Sequence, residues 1–189
     1  MRLAAATLEG MGAKLALVRH GETEWNAQGR LQGQTDIGLN DVGRQQARAA
    51  GRELASGGWS LVACSPLGRA VETAALIAAG VGLPAGGTDP DLMERHYGEG
   101  EGRMVAHLPR RDIDELLLTA EPEQQVAERG LRALVRLVRR YPGANIIVVA
   151  HGTLIRLTLD ALGGSGHGLP GNGEVIEIDA GLLSDVAAH

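Results

Sequence analysis

The chain has 189 residues, 18 of them basic and 23 acidic, for a formal net charge of −5. That length suits one domain, and the acidic balance excludes a polycation built for nucleic acid. Hydrophobic residues make up 44% and aromatic ones 2%, with no Phe, so the core has to come from Leu, Val, Ile and Ala.

Residues 1–13 read as an N-terminal extension, because Glu9 and a short apolar run fall short of a secretory signal's long apolar stretch. A single domain then covers residues 14–189. Its first strand is Lys14–Val18, an apolar run of the kind buried on both faces of a sheet. Asn40 caps a helix reaching Ala55, stopped by Gly57 and Gly58. A second strand, Ser60–Cys64, closes at Ser65-Pro66. Pro66 opens a helix that turns Ala70, Ala74, Ile77 and Ala78 inward as far as Gly80. Residues 86–101 and 108–121 lack periodicity and read as irregular covering segments. From Glu123 to Arg140 a helical pattern buries Ala127, Leu131, Leu134, Val138 and Tyr141, with Arg132, Arg136, Arg139 and Arg140 on the other face. Ala144–Ala150 is the strongest strand, with four β-branched residues in succession. A helix follows Gly152 to Leu162, then a glycine-rich loop over 163–173 and an alternating edge strand, Glu174–Ile178. Strands alternating with helices predict an α/β fold, a three-layer α/β/α sandwich whose mostly parallel central sheet carries an antiparallel edge strand.

Scarce residues exclude whole mechanisms. Lys14 is the only lysine, so no Gly-Lys-Ser/Thr triplet exists and a P-loop is excluded. Cys64 stands alone, which rules out an internal disulfide or a thiolate cluster and suits a reducing, cytoplasmic setting. A cysteine phosphatase needs Cys, five residues, then Arg. Arg69 follows Cys64 after only four, so Cys64 reads as a buried structural thiol. No apolar run is long enough to span a membrane.

In a parallel α/β sheet, ligands gather beyond the carboxyl ends of the strands. The first strand delivers Arg19 and His20 there, the second Ser65 and then Arg69, the third His151 and Gly152. Arginine's planar fork binds phosphate oxygens in pairs and keeps its charge at working pH. Helix N-termini after His20 and His151 would add backbone N–H donors. A neutral imidazole in such a cradle can attack phosphorus, with the arginines rather than a metal or cofactor supplying the positive charge.

The run Leu17-Val-Arg-His-Gly-Glu-Thr-Glu-Trp-Asn26 resembles the signature of the histidine phosphatase superfamily, in its phosphoglycerate-mutase-like branch. The resemblance extends through Gln32-Gly33, Ser65-Pro-Leu-Gly-Arg-Ala70, the stretch Asp91–Gly102 and Ala150-His-Gly152, covering most of the chain. It implies that His20 is the phosphorylated nucleophile, that Arg19, Asn26, Arg69 and Gly152 bind phosphate, that His151 contacts the transferred group, and that Glu94 is the acid/base, with Glu99 and Glu101 close by. Thr23, Gln32, Gly33, Arg95 and Tyr97 are candidate substrate contacts. Arg95, His96, Arg110 and Arg111 read either as contacts to a substrate's distal acidic groups or as solvated charge, and His107 and His167 as surface residues.

The implied function is a metal-independent phosphomonoesterase acting on a small phosphorylated metabolite, with neither nucleic acid nor membrane as partner and self-association left open. The wording Glu94-Arg-His-Tyr-Gly98 keeps a phosphoglycerate mutase as the alternative, and a non-catalytic phosphate-recognition protein is the alternative from another class. The resemblance departs from the family pattern at Gly100, where an aromatic is common, and at Ala120-Glu-Pro122, where Gly-Glu-Ser is usual.

Overall fold

The computed structural model describes residues 12–105, 107–164 and 166–183, so most of the expected N-terminal extension lies outside the described residues. Strands β1 (Lys14–Arg19), β2 (Leu61–Cys64), β3 (Ile146–Ala150) and β4 (Val175–Asp179) form one sheet in the order β2-β3-β1-β4. β3 pairs in parallel with β1 and β2, and β4 runs antiparallel to β1 at the edge. The helices are α1 (Glu24–Ala27), α2 (Asp41–Leu54), α3 (Gly68–Val81), α4 (Arg110–Leu116), α5 (Glu123–Arg140) and α6 (Gly152–Gly163). Single 3-10 turns lie at Pro90–Leu92, Gly98–Gly100 and Leu117–Thr119.

The two-residue period of the strands divides the core in two. Leu15, Leu17, Ile146, Val148 and Ala150 face α5 and α6, while Ala16, Val18, Val62, Ile147 and Val149 face α2 and α3. Full burial of each Leu, Ile or Val is worth about 1.5–3 kcal/mol, which fixes the register, because a one-residue slip would exchange the two faces. This is the expected three-layer sandwich. Cys64 is buried in the second core, and burial pushes its thiol up to about 11, as suits an inert structural cysteine.

Three local expectations need correction. α3 starts at Gly68 rather than Pro66, because the Asp36 carboxylate accepts the Gly68 N–H at 2.8 and 3.1 Å and sets the first turn. The segment 108–121 is not irregular: it contains α4, a seven-residue helix whose apolar Ile113 and Leu116 are only half-buried, too short for a sustained period to betray it. α5 spans the expected residues, but its buried arc is Val126, Arg129, Gly130, Ala133, Leu134 and Leu137, while Tyr141 is 38% exposed. Gly130 sets that phase. It lets α6 approach so closely that an added Cβ would lie 2.1 Å from Thr158 Oγ1.

Candidate active site

The strand ladders continue past their carboxyl ends and carry the expected residues to one rim. His20 N donates to Ala150 O at 3.0 Å, and Ser65 N to Val149 O at 3.0 Å. Here a cavity of about 140 Å³ is lined by Arg19, His20, Asn26, Gln32, Gly33, Arg69, Glu94, Tyr97 and Gly152, together with Arg30, Leu31, Thr153 and Leu169. A larger, shallow groove of about 820 Å³ follows the outer face of α5, among Leu131, Val135 and several arginines, and holds none of the expected reaction groups.

His20 is 3% exposed, and its Nδ1 lies 2.7 Å from Gly21 O. A carbonyl can only accept, so Nδ1 carries the proton and Nε2 keeps its lone pair. Burial, reinforced by the charges of Arg69 and Arg19, holds the imidazole well below the usual histidine range, so the ring is neutral. Arg69 Nε points at that lone pair from 3.3 Å. Arg69 is fully buried, and burial lowers it to about 10, still cationic at neutral pH. Its two terminal nitrogens donate to Thr35 O at 2.9 Å and Gly33 O at 2.7 Å. Gly33 has a φ of +57°, and a Cβ there would strike Glu101 Oε1 at 2.1 Å, so this carbonyl needs glycine to be presented.

Arg19 donates through one terminal nitrogen to Pro170 O at 2.7 Å, while its buried Nε has no partner among the described residues. His151 is fully buried, its ring centroid 5.1 Å from that of His20 at a 60° tilt. Among the described residues both of its ring nitrogens lack partners, and burial, with Arg69 next in weight, keeps it neutral. An unpaired buried donor costs about 1–3 kcal/mol, and proteins keep such groups where a ligand is to use them. His151 sits behind the cavity wall rather than in its lining.

Glu94 is 8% exposed, and its carboxylate accepts from Arg95 N at 2.8 Å, Thr153 N at 3.1 Å and Leu154 N at 3.1 Å. The amides expected to greet phosphate at the start of α6 are therefore partly committed to Glu94. The other expected helix terminus is closed as well: α1 is one turn long, capped by Thr23 and Asn26 acting on each other. Glu101 is no rival to Glu94. Burial alone would raise its carboxyl, but the Thr35 hydroxyl and the amides of Gln34, Tyr97 and Thr35 outweigh burial and hold it down as an anion. Glu99 is exposed and does not line the cavity.

Not every expected contact reaches the cavity. Thr23 is fully buried beneath it, its hydroxyl donating to Asn26 Oδ1 at 3.1 Å. Asn26 Oδ1 also accepts from Thr23 N and Asn172 Nδ2, so its remaining offer to a ligand is Nδ2–H. Gln32 satisfies its neighbours with Nε2 toward Thr23 Oγ1 at 2.6 Å and its oxygen toward Arg69 at 3.0 and 3.1 Å. Arg95 turns away, donating to Glu121 O at 2.8 Å and Glu123 Oε1 at 2.9 Å. Arg110 and Arg111 are exposed and paired with Asp114 and Asp112, as solvated charge. His107 is exposed, and His167 pairs with Asp160. Sequence reasoning missed Arg30 in the cavity lining and Asn172, whose Nδ2 donates to His20 O at 3.1 Å. An asparagine set between Gly171 and Gly173 was the available signal for the latter.

The profile of the histidine phosphatase superfamily (branch 1) matches residues 15–175. The chain is 37% identical over 150 residues to an uncharacterized phosphatase, PhoE, of Bacillus subtilis, covering 79% of this chain and 77% of that protein. It is 35% identical over 162 residues to a metal-independent phosphoserine phosphatase of Arabidopsis thaliana, covering 79% and 68%. Among solved structures, Bacillus stearothermophilus YhfR superposes with a TM-score of 0.79 at 28% identity, covering 89% of this chain and 91% of that one. A mycobacterial glucosyl-3-phosphoglycerate phosphatase superposes with a TM-score of 0.76 at 28% identity, covering 89% and 93%. With its rim histidines and arginines and a profile match running from β1 to the start of β4, the chain belongs to branch 1 of the histidine phosphatase superfamily.

Proposed function

We propose that this protein is a metal-independent phosphomonoesterase that hydrolyses a small phosphorylated metabolite through phospho-His20. The observation that carries the reading is the His20 ring, neutral and oriented by Gly21 O, with its Nε2 lone pair set beside Arg69. Nε2 attacks phosphorus as the ester P–O bond breaks, and Arg19, Arg69 and the Asn26 amide take the charge spreading over the equatorial oxygens. Glu94, in the cavity lining, delivers a proton to the leaving oxygen as the ester bond breaks. Glu94 then removes a proton from water as that water attacks phospho-His20. The P–N bond breaks, its electrons return to Nε2, and phosphate leaves. His151, its ring 5.1 Å from that of His20 and both nitrogens without partners among the described residues, is the candidate to meet the phosphoryl group once it is on His20.

A cavity of about 140 Å³ suits a small ester, and Arg30 in its lining, with Nε on Gln28 Oε1 and one terminal nitrogen on Gly102 O, keeps its other terminal nitrogen for a second anionic group. The relatives named for phosphoserine and glucosyl-3-phosphoglycerate point to the same class. Within the run Glu94–Gly98 that kept the mutase alternative open, Arg95 is engaged away from the cavity, which favours transfer to water. Retention of both His20 and Glu94 favours turnover over mere recognition. The buried single cysteine accords with a reducing, cytoplasmic compartment.

The test is phosphate release from a panel of phosphoserine, phosphoglycerates and sugar phosphates, with and without EDTA. Activity is expected to survive EDTA, and His20→Ala is expected to lose at least ~10³-fold. Rapid quench and mass spectrometry should trap a phosphoryl adduct on His20. Sustained hydrolysis by His20→Ala would refute the covalent route.

A further inference from the structure

Arg129 is a charged residue on the buried arc of α5, 8% exposed, yet it does not line the cavity. Its guanidinium binds the Glu121 carboxylate with two nearly parallel bonds, Nε to Oε1 at 2.8 Å and a terminal nitrogen to Oε2 at 2.9 Å. The remaining donors go to carbonyls of the segment that carries Glu94: Asp91 O at 2.9 Å, Met93 O, and Glu94 O at 3.0 Å. Glu121 completes the clasp from its own backbone and side chain. It accepts His96 N on Oε2 at 3.2 Å, and its N–H donates to His96 O at 2.8 Å.

We propose that Arg129, locked by Glu121, is a positioning residue that sets where the Glu94 carboxyl stands relative to the leaving oxygen. Glu94 is held at both ends. Arg129 on α5 grips its carbonyl, and the first amides of α6 grip its carboxylate. These two helices meet at the close contact between Gly130 and Thr158, so the grips share one rigid frame. Three carbonyls held by one planar cation fix the direction of the segment in a way a single hydrogen bond cannot. Proton delivery is steeply sensitive to such placement, since about 1 Å of misplacement costs on the order of 10²-fold.

The inference rests on Glu94 being the proton donor, and its test is a leaving-group comparison. Nitrophenolate departs as a stable anion, whereas an alkoxide must be protonated as it leaves, so the kcat/KM ratio of an alkyl phosphate to p-nitrophenyl phosphate reports acid catalysis. Arg129→Lys should lower that ratio about tenfold, and Arg129→Met further, in the same direction as Glu94→Gln. A part that merely holds the fold together would lower both esters alike, so equal losses with Arg129→Lys would overturn the proposal. If Arg129→Lys does not fold, Glu121→Gln keeps the guanidinium and its carbonyl partners while weakening the clasp. Its ratio should fall about threefold, and an unmoved ratio would overturn the proposal. If the ratio is unmoved in Glu94→Gln itself, the acid assignment falls and takes this proposal with it. A ratio that moves in Glu94→Gln but not in the Arg129 variants refutes the positioning role alone.

Discussion

His20 and His151 share one desolvated environment and differ in what holds them: a carbonyl fixes the first, while the second has no partner among the described residues. Both stay neutral well below the ordinary value of 6.5, whereas unfolding returns each ring to water and to that value. As pH falls through 6.5 the unfolded chain gains protons that the folded chain refuses. Stability should therefore drop with falling pH, by at most about 1.4 kcal/mol per pH unit for each ring. Urea unfolding between pH 7 and pH 5 should show this slope, and His151→Asn should flatten it. Identical slopes would show that the ring is protonated inside the fold. At this scale the candidate residues Arg19, His20, Arg69 and His151 were legible because each ends or follows a strand or opens a helix, while Glu94, in a loop, was legible only through the family resemblance. Arg129, Glu121 and Asn172 were not, because they act through backbone carbonyls and amides that a side-chain motif does not display.

Elements matter here mainly by how closely they approach the loop after β1. Gly21 and Gly43 meet face to face: a Cβ on Gly43 would lie 2.1 Å from Glu22 O, and one on Gly21 would lie 2.2 Å from Gly43 O. Helix propensity alone predicts that Gly43→Ala stabilises α2 by about 1 kcal/mol. The clash is with backbone rather than a flexible side chain, so overpacking, at about 1–3 kcal/mol, should outweigh that gain. The expected result is a lower Tm together with a lower kcat, since the displaced segment carries His20. A more stable Gly43→Ala would refute the close-packing account. The apolar patterns gave α2, α3 and the four strands closely, because α2 and α3 bury one face, β1, β2 and β3 are buried on both, and β4 alternates at the edge. α4 escaped notice because it is short and its apolar residues are only half-buried, and the expected face of α5 was right at Leu134 but off-centre elsewhere, with Ala127, Leu131 and Val138 at its edge, because a buried arginine and a glycine occupy positions where periodicity expects aliphatic side chains.

The whole molecule places its least comfortable charges where its three parallel strands end. Two hydrophobic cores immobilise the sheet from both sides, and the loops beyond it hold Arg19 and Arg69 so desolvated that burial outweighs the attraction of Glu94 and the other carboxylates nearby. That arrangement sets stability against function in a measurable way. A phosphate ion compensates both arginines in the folded chain only, so it should raise the unfolding free energy by about 2.7 kcal/mol at a hundred times its dissociation constant. Arg19 has an unpartnered buried Nε and one bond to Pro170 O, so Arg19→Met exchanges a desolvated cation for an apolar side chain of similar reach. The exchange relieves the desolvation that weighs most on this cation, against the smaller attraction of Glu94 and Glu174. Without phosphate, Arg19→Met should therefore match or exceed the parent Tm, while its response to added phosphate shrinks and its turnover collapses. A thermal-shift titration of both proteins decides the matter. A phosphate-free Arg19→Met less stable than the parent would mean that the cation is held for the fold rather than for the substrate.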